Sequence, residues 1–240
     1  MNIVLTGFMG TGKTAVGKRL ARQLGWSFID LDALIEAAAK KSVAKIFAEH
    51  GEAVFRRLEH RAILRVMRGD QQVIATGGGA FIDPKNRRLL KAMGPVIGLT
   101  AHPKSVLQRV GATAAIRPLL ASQPGLSRIQ QLMAQRAPAY AKVDWTIDTT
   151  RLDLEEVVAR IWDHLGPWVS KSWQYLLKHG EKLTQRYGGK YIAVLDDHIV
   201  AAGATQLEAY QAIRCPVPAH CEVGIYYIPL PGTSPVVAAS

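Results

Sequence analysis

The sequence predicts an α/β domain built on a parallel sheet, followed by a small α+β domain. Five short apolar segments alternate with segments of helical periodicity, which is typical of a parallel sheet covered on both faces. The first of these segments runs through a glycine-rich turn into a helix. The pattern then changes after Gly166-Pro167. We therefore expect one domain at residues 1–166 and an accessory domain at 167–240 that ends in a flexible tail.

The strands of the first domain are short and apolar, as expected for strands buried on both faces. They are predicted at Ile3–Leu5, Ser27–Ile29, Val73–Ala75, Val96–Thr100 and Trp145–Ile147. Asp153 is a plausible N-cap for the last helix of the domain. The apolar spacing of that helix predicts one buried face, formed by Leu154, Val157, Val158, Ile161 and Leu165.

The second domain begins with a helix predicted at 168–186. Strands at 191–195 and 199–202 follow, joined by Asp196-Asp197-His198 as a hairpin loop. A helix at 206–213 and a strand at 223–228 complete the unit, and residues 229–240 are expected to be frayed.

Composition and charge narrow the class of protein. The 240 residues are 48% hydrophobic and 20% charged, which excludes a disordered chain. No stretch approaches the roughly 18 apolar residues of a membrane span, and the start of the sequence lacks the features of an export signal. Cys215 and Cys221 are the only cysteines. A reducing cytoplasm fits these features best. Lys and Arg outnumber Asp and Glu by 30 to 19, which favours an anionic partner such as nucleic acid, a membrane surface or a nucleotide, and net charge alone does not choose among them.

The strongest motif is Gly7-Phe8-Met9-Gly10-Thr11-Gly12-Lys13-Thr14, which matches G-x-x-x-x-G-K-[ST] between a predicted strand and a predicted helix. In such a loop the backbone amides and the helix N-terminus surround phosphate oxygens. Lys13 would reach the outer phosphates, and Thr14 would offer a hydroxyl to Mg²⁺. We expect this loop to bind ATP.

An acidic pair follows the second strand. Alternation along a strand would place Asp30 and Asp32 on the same side, at the carboxyl edge where open α/β sheets bind ligands. One carboxylate could steady the water shell of Mg²⁺ while the other holds or deprotonates a hydroxyl. The alternative is structural, since Asp32 could simply cap the next helix.

Three further clusters offer positive character. Arg56 and Glu59 lie on one helix face, although a solvated ion pair is the simpler reading. Gly77, Gly78 and Gly79 would let backbone amides approach an anion, unless the loop is merely loose. Arg117 lies in a Gly-, Ala- and Ser-rich stretch that could close as a lid, and Arg136 ends a later helix. More positive groups are present than ATP with Mg²⁺ requires, so the acceptor is predicted to be small, hydroxylated and anionic.

The motifs GFMGTGKT, FIDLD, FRRLE, ATGGGA, IRPLL and QRAPAY, in this order over residues 1–165, resemble those of the shikimate kinase family. The resemblance implies a three-layer fold of the nucleoside-monophosphate-kinase type with a five-stranded parallel sheet and a lid. It also implies that the γ-phosphoryl group of ATP is transferred to the 3-hydroxyl of shikimate, on the route to chorismate and the aromatic amino acids.

The resemblance assigns roles position by position. Asp32 would bind the reacting hydroxyl as candidate base, with Lys13 and Arg117 as the other catalytic residues. Arg56 and Arg136 would hold shikimate together with the amides of Gly77, Gly78 and Gly79, and Glu59 would orient Arg56. Thr14 would ligate Mg²⁺, and Asp30 would contact the ion through water. The nucleotide would be held by Gly10, Thr11, Gly12, Lys13, Thr14, Ala15, Arg109 and Arg117.

Two features depart from the family pattern. Val110 stands where relatives often carry an arginine that stacks on adenine, so Arg109 is expected to substitute or the base to be held loosely. The segment after residue 167 instead resembles a small prokaryotic domain of unknown function. Cys215, His220 and Cys221 lack the spacing of a zinc site, so free thiols are expected there. We expect a monomeric kinase domain and an accessory module for an unknown interaction.

The alternatives are a P-loop kinase of another small hydroxy acid and a non-catalytic basic P-loop protein that binds nucleic acid. Shikimate-stimulated release of ADP would separate the leading reading from both. The nucleic-acid reading predicts instead binding with a steep salt dependence, and no interleaving of aromatic and basic residues supports it.

Overall fold

The computed structural model describes residues 1–111, 125–165, 171–214, 223–230 and 237–238. These residues form two compact units, one made of residues 1–19 and 27–161 and the other of residues 20–26 and 162–240. The domain boundary expected at residue 166 stays a prediction.

The first unit contains the predicted five-stranded parallel sheet. Its strands are β1 (Ile3–Gly7), β2 (Ser27–Asp30), β3 (Gln72–Ala75), β4 (Val96–Thr100) and β5 (Trp145–Asp148), in the order β2-β3-β1-β4-β5. Every neighbouring pair is parallel. All five predicted strands are confirmed, four of them one or two residues longer than expected. The carboxyl ends of the strands therefore meet at one edge, with β1 at the centre.

Seven helices connect or follow these strands in the described residues. They are α1 (Lys13–Leu24), α2 (Leu31–Ala39), α3 (Val43–Val66), α4 (Pro84–Met93), α5 (Pro103–Val110), α6 (Leu126–Tyr140) and α7 (Leu154–Leu165). Helix α3 is interrupted at Gly51, whose φ of 74° lies in the left-handed region that glycine adopts readily. The glycine thus lets two helical segments meet at a bend.

Side-chain caps determine where several helices begin. Asp30 caps α2, Ser42 caps α3 and Asp83 caps α4. The predicted cap of α7 is confirmed: Glu156 donates its backbone N–H to Asp153 Oδ1 at 2.8 Å, and Asp153 donates its own to Glu156 Oε2 at 2.8 Å.

The predicted buried face of α7 is only partly right. Val157, Val158, Ile161 and Leu165 are buried, but Leu154 is 38% exposed. Side chains on a helix lean toward its N-terminus. As the first residue of α7, Leu154 therefore points past the end of the helix, where no preceding turn covers it.

Two apolar clusters support the carboxyl edge of the sheet. The larger one packs Leu31, Phe55, Ile63, Ile74 and Phe81 from α2, α3, β3 and the loop after β3, all at most 4% exposed. The smaller one lies behind the glycine-rich loop and includes Phe8, Val106, Val110, Ile129 and Leu132. Rigid packing beneath the loops holds their polar groups at fixed positions.

The second unit is a small α+β structure. Its elements after α7 are α8 (Lys171–Tyr187), β6 (Lys190–Leu195), β7 (His198–Gly203), α9 (Gln206–Gln211), β8 (Val223–Ile228) and β9 (Val237–Ala238). The sheet order is β7-β6-β8-β9, and all pairs are antiparallel. Trp173 on α8 packs edge-on against Tyr226 with ring centroids 5.4 Å apart, which places α8 against the sheet.

Three predictions for this unit need correction. Val237–Ala238 was expected in a frayed tail but pairs with β8, because strand pairing satisfies backbone groups that an edge would leave unpaired. His198 belongs to β7 rather than to the hairpin loop, which leaves a two-residue connection at Asp196-Asp197. Helix α9 ends at Gln211, short of the predicted residue 213. In the part of the chain that the structure describes, no helix is long and apolar enough to cross a membrane.

Candidate active site

The predicted phosphate loop lies between β1 and α1. Gly7 has a φ of 141°, and a side-chain carbon there would overlap the Leu99 carbonyl on the neighbouring strand, so only glycine fits. Thr11 Oγ1 donates to the Phe8 carbonyl at 2.8 Å across the loop. The loop is therefore a formed turn at the N-terminus of α1, where the backbone amides and the partial positive charge of the helix suit a phosphate.

Lys13 lies over this loop. Its ammonium group donates to the carbonyl oxygens of Gly7 and Phe8, at 2.9 Å each. These two bonds hold the ammonium group at the start of the loop. Gly10, Thr11, Gly12, Thr14 and Ala15 continue the same turn into α1.

Thr14 and Asp30 meet at the base of the loop. Thr14 Oγ1 donates to Asp30 Oδ2 at 2.8 Å. The other oxygen of Asp30 accepts from the backbone N–H of Asp32 at 3.1 Å and of Ala33 at 3.4 Å, which caps α2. A hydroxyl and a carboxylate side by side are hard oxygen donors of the kind that Mg²⁺ prefers, so this pair fits that ion.

Two expectations about the acidic pair were wrong. Strand β2 ends at Asp30, so Asp32 lies in the first turn of α2 and strand alternation does not relate the two carboxylates. The capping residue is Asp30, not Asp32. The two side chains diverge as a result: Asp30 points to Thr14, and Asp32 points to the glycine loop after β3.

Gly77, Gly78 and Gly79 form a loop on which the predicted acceptor residues converge. A side-chain carbon at Gly77 would lie 2.5 Å from Asp32 Oδ1 and 3.1 Å from Glu59 Oε1. One at Gly78 would lie 3.3 Å from Arg136 Nη1, and one at Gly79 would overlap the Arg56 guanidinium. Residues from α2, α3 and α6 thus surround one glycine turn, which we call the acceptor hollow.

Arg56 is held by two carboxylates. Its Nη1 donates to Glu59 Oε2 and its Nη2 to Glu52 Oε1, both at 2.9 Å. Glu59 is only 1% exposed, so the reading of this pair as a solvated ion pair does not apply. Burial raises the pKa of Glu59, although Arg56 lowers it in part. Burial also opposes the charge on Arg56, but Glu59 and Glu52 outweigh it and raise the pKa of Arg56. Arg56 therefore stays charged, whereas burial favours the neutral form of Glu59.

Arg136 reaches the hollow from α6. It is 5% exposed, its Nη1 donates to the Gly78 carbonyl at 2.9 Å, and its guanidinium lies 5.2 Å from the centre of the Phe8 ring. A buried arginine held by a carbonyl and an aromatic face retains further N–H donors, which suit a carboxylate. Phe8 belongs to the phosphate loop, so the hollow and the loop are neighbours.

Arg109 ties the phosphate loop to the loop after β5. It donates to Thr149 Oγ1 at 3.0 Å, to the Thr149 carbonyl at 2.6 Å and to the Gly10 carbonyl at 3.4 Å. Val110 is 1% exposed and packs against Gly10, so its side chain belongs to the core beneath the phosphate loop. Arg117, Cys215, His220 and Cys221 lie outside the described residues.

Sequence reasoning missed two residues of this region. Tyr140 Oη donates to the Gly78 carbonyl at 2.6 Å, beside Arg136. Burial raises the pKa of its phenol. Thr149 is 3% exposed, and its hydroxyl lies 3.1 and 3.2 Å from the carbonyl oxygens of Thr100 and Thr11, between which its single hydrogen is shared. Spacing along α6 could have indicated Tyr140, since it follows Arg136 by four residues.

The kinase region matches known families and structures. The shikimate kinase family matches residues 9–166, and a family of unknown function, DUF5678, matches residues 182–231. A shikimate kinase of Caldanaerobacter subterraneus is 46% identical over 160 residues, which cover 67% of this chain and 93% of that protein. One of Symbiobacterium thermophilum is 48% identical over 167 residues, covering 69% and 96%.

Solved structures agree with these relatives. The structure of shikimate kinase from Acinetobacter baumannii in complex with shikimate superposes with a TM-score of 0.66 at 34% identity, covering 69% of this chain and 93% of that one. Shikimate kinase from Bacteroides thetaiotaomicron gives a TM-score of 0.63 at 35% identity.

Proposed function

This chain belongs to the shikimate kinase family, and we propose that its acceptor hollow binds shikimate while its phosphate loop binds ATP. The activity is the ATP-dependent phosphorylation of the 3-hydroxyl of shikimate, a step toward chorismate and the aromatic amino acids. The observation that carries the residue assignment is the convergence of Asp32, Arg56 and Arg136 on one glycine loop beside the phosphate loop. The remaining roles follow from that arrangement.

The hollow orients the acceptor. Arg136 and Arg56 lie beside Gly78 and Gly79 and supply guanidinium groups for the carboxylate and hydroxyls of shikimate. Glu59 keeps Arg56 in place from within the core. Orientation by fixed donors lowers the entropic cost of bringing the two substrates together.

Asp32 is the proposed base. As the 3-hydroxyl oxygen bonds to the γ-phosphorus, the bond from that phosphorus to the oxygen of ADP breaks, and the hydroxyl proton passes to the Asp32 carboxylate. Lys13 stabilises the charge that develops on the transferring group, for which its ammonium turns from the loop carbonyls to the phosphates. We assign Arg117 to the same task from the lid side.

Cofactor and nucleotide binding use the loop residues. Thr14 and Asp30 would hold Mg²⁺, which when bound neutralises charge on the phosphates. The phosphates of ATP would be surrounded by Gly10, Thr11, Gly12, Lys13, Thr14 and Ala15. Arg109 would support the loop next to the adenine. We further propose that the kinase domain acts as a monomer in the cytoplasm, without nucleic acid or membrane partners, and that residues 167–240 serve an unknown interaction.

The test is a coupled assay of ADP release with shikimate, quinate and gluconate as acceptors. We expect turnover that depends on shikimate and is far weaker with the other two. Equal turnover with quinate or gluconate would indicate a kinase of another hydroxy acid. ADP release that does not respond to any acceptor would refute the proposal.

A further inference from the structure

Tyr140 and Arg136 share one acceptor atom. They lie one helical turn apart on α6, and both donate to the carbonyl oxygen of Gly78, at 2.6 and 2.9 Å. A carbonyl oxygen has two lone pairs and can accept both bonds. Arg136 already has a role toward the substrate, so the second donor calls for an explanation.

The other two carbonyls of the glycine loop are engaged as well. The Gly77 carbonyl accepts from the N–H of Ala80 at 3.2 Å, and the Gly79 carbonyl accepts from the N–H of Ile82 at 3.1 Å. These are local turn bonds, whereas the Gly78 carbonyl is held only from α6 among the described residues. The orientation of the central peptide therefore depends on helix α6.

That orientation decides which end of the peptide dipole faces the substrate. In a trans peptide the C=O of Gly78 and the N–H of Gly79 point in opposite directions. Holding the carbonyl against α6 turns the amide of Gly79 away from α6, and Arg56 lies beside the same residue. Without the anchor this glycine peptide could rotate, because glycine restricts backbone rotation least. Its oxygen would then face an anionic substrate and repel it.

We propose that Tyr140 is a positioning residue for substrate binding, whose hydroxyl fixes the Gly78 peptide so that the Gly79 amide faces the carboxylate of the acceptor. This inference rests on the proposed function, since it needs shikimate in the hollow. The Tyr140 ring also lines an apolar cavity of about 450 Å³ with Phe8, Leu99 and Met133. The ring thus has a packing role that is separate from that of its hydroxyl.

The experiment is Tyr140→Phe in the full chain, which removes the hydroxyl and keeps the ring. Tyr191→Phe is the matched control, because it removes a phenol hydroxyl from β6 in the other unit. Steady-state kinetics are measured with shikimate and with its uncharged methyl ester. For Tyr140→Phe we expect the KM for shikimate to rise by about 3- to 10-fold, which corresponds to the net free energy of one hydrogen bond. The KM for ATP should stay unchanged. The KM for the ester should rise less, because it carries no charge for a turned carbonyl to repel.

An unchanged KM for shikimate would overturn the inference, and so would equal increases for acid and ester, which would indicate loss of packing alone. A measurement on the wild-type chain covers the case in which Tyr140→Phe does not fold. The amide proton resonance of Gly79 should shift downfield when shikimate is added, and an unmoved resonance would overturn the proposal. A wild-type chain without shikimate-dependent ADP release would refute the proposed function as well, whereas an active wild type with an unaffected Tyr140→Phe refutes this inference alone.

Discussion

Replacing Glu59 by Gln should weaken shikimate binding and at the same time stabilise the fold. The Glu59 carboxylate is 1% exposed and accepts from Arg56 at 2.9 Å. Gln keeps an oxygen for this bond but removes the charge. A hydrogen bond to a charged group contributes about 1 to 1.5 kcal/mol more than a neutral one. Looser orientation of Arg56 should therefore raise the KM for shikimate by about 5- to 10-fold.

The stability effect has the opposite sign. Burial raises the pKa of Glu59 above its ordinary value of 4.5, and the nearby Asp32 and Asp83 carboxylates act in the same direction. A raised pKa in the folded state stabilises the fold below pH 4.5, and this contribution is lost as the pH rises through the folded-state pKa. At pH 7 we therefore expect the free energy of unfolding of Glu59→Gln to exceed that of wild type, and the difference to shrink as the pH falls toward 4.

Urea unfolding between pH 4 and 8 measures this difference, and the KM for shikimate is measured at pH 7. Glu52→Gln is the matched control, since Glu52 also accepts from Arg56 at 2.9 Å but its side chain is 55% exposed. An exposed partner should change stability by less than about 1 kcal/mol. A stability difference for Glu59→Gln that does not vary with pH, or an unchanged KM for shikimate, would refute the reasoning.

Four further predictions concern the phosphate loop, the metal pair, the nucleotide side and the second domain. Lys13→Ala should lower kcat by about 100- to 1000-fold with little change in the KM for shikimate, since Lys13 acts on charge that develops during transfer; an unchanged kcat would contradict its role. Asp30→Asn keeps an oxygen to cap α2 and should raise the Mg²⁺ concentration for half-maximal activity by about 10-fold, with an unchanged melting temperature; an unaltered Mg²⁺ dependence would remove Asp30 from the metal site. Arg109→Ala should raise the KM for ATP by about 5- to 10-fold, as expected for lost charge-assisted bonds, and leave the KM for shikimate unchanged; the reverse pattern would place Arg109 on the acceptor side. A chain shortened to residues 1–166 should keep kcat/KM within about threefold of the full chain if the domains fold separately, and loss of folding on truncation would show that residues 167–240 are structural.

Much of the site could be predicted because local sequence determines it. The phosphate loop needs glycines and a Lys-Thr pair at fixed spacing, and these lie where the motif places them, between β1 and α1. The parallel strands could be read from apolar segments, and their carboxyl ends necessarily share an edge. Asp32 follows β2 and the glycine loop follows β3, so both lie at that edge of the sheet, where Arg56 joins them.

The rest depends on contacts between distant segments. The roles of Asp30 and Asp32 were partly misjudged because strand alternation was extended to Asp32, whereas β2 ends at Asp30 and the capping geometry then separates the two carboxylates. Tyr140 was missed because its partner, the Gly78 carbonyl, lies 62 residues away and carries no side-chain signal. Strand β9 was missed because its pairing with β8 is a backbone interaction of a short segment.

A calorimetric titration of shikimate into the wild-type chain and into Arg136→Ala tests most directly whether the acceptor hollow is the substrate site. Arg136 is buried, and losing one partner of a buried charge pair costs about 2 to 5 kcal/mol, which is at least a 30-fold loss of affinity. The predicted result is one shikimate bound per wild-type chain and binding weakened to that extent in the variant. Equal affinity for shikimate in both proteins would contradict the account.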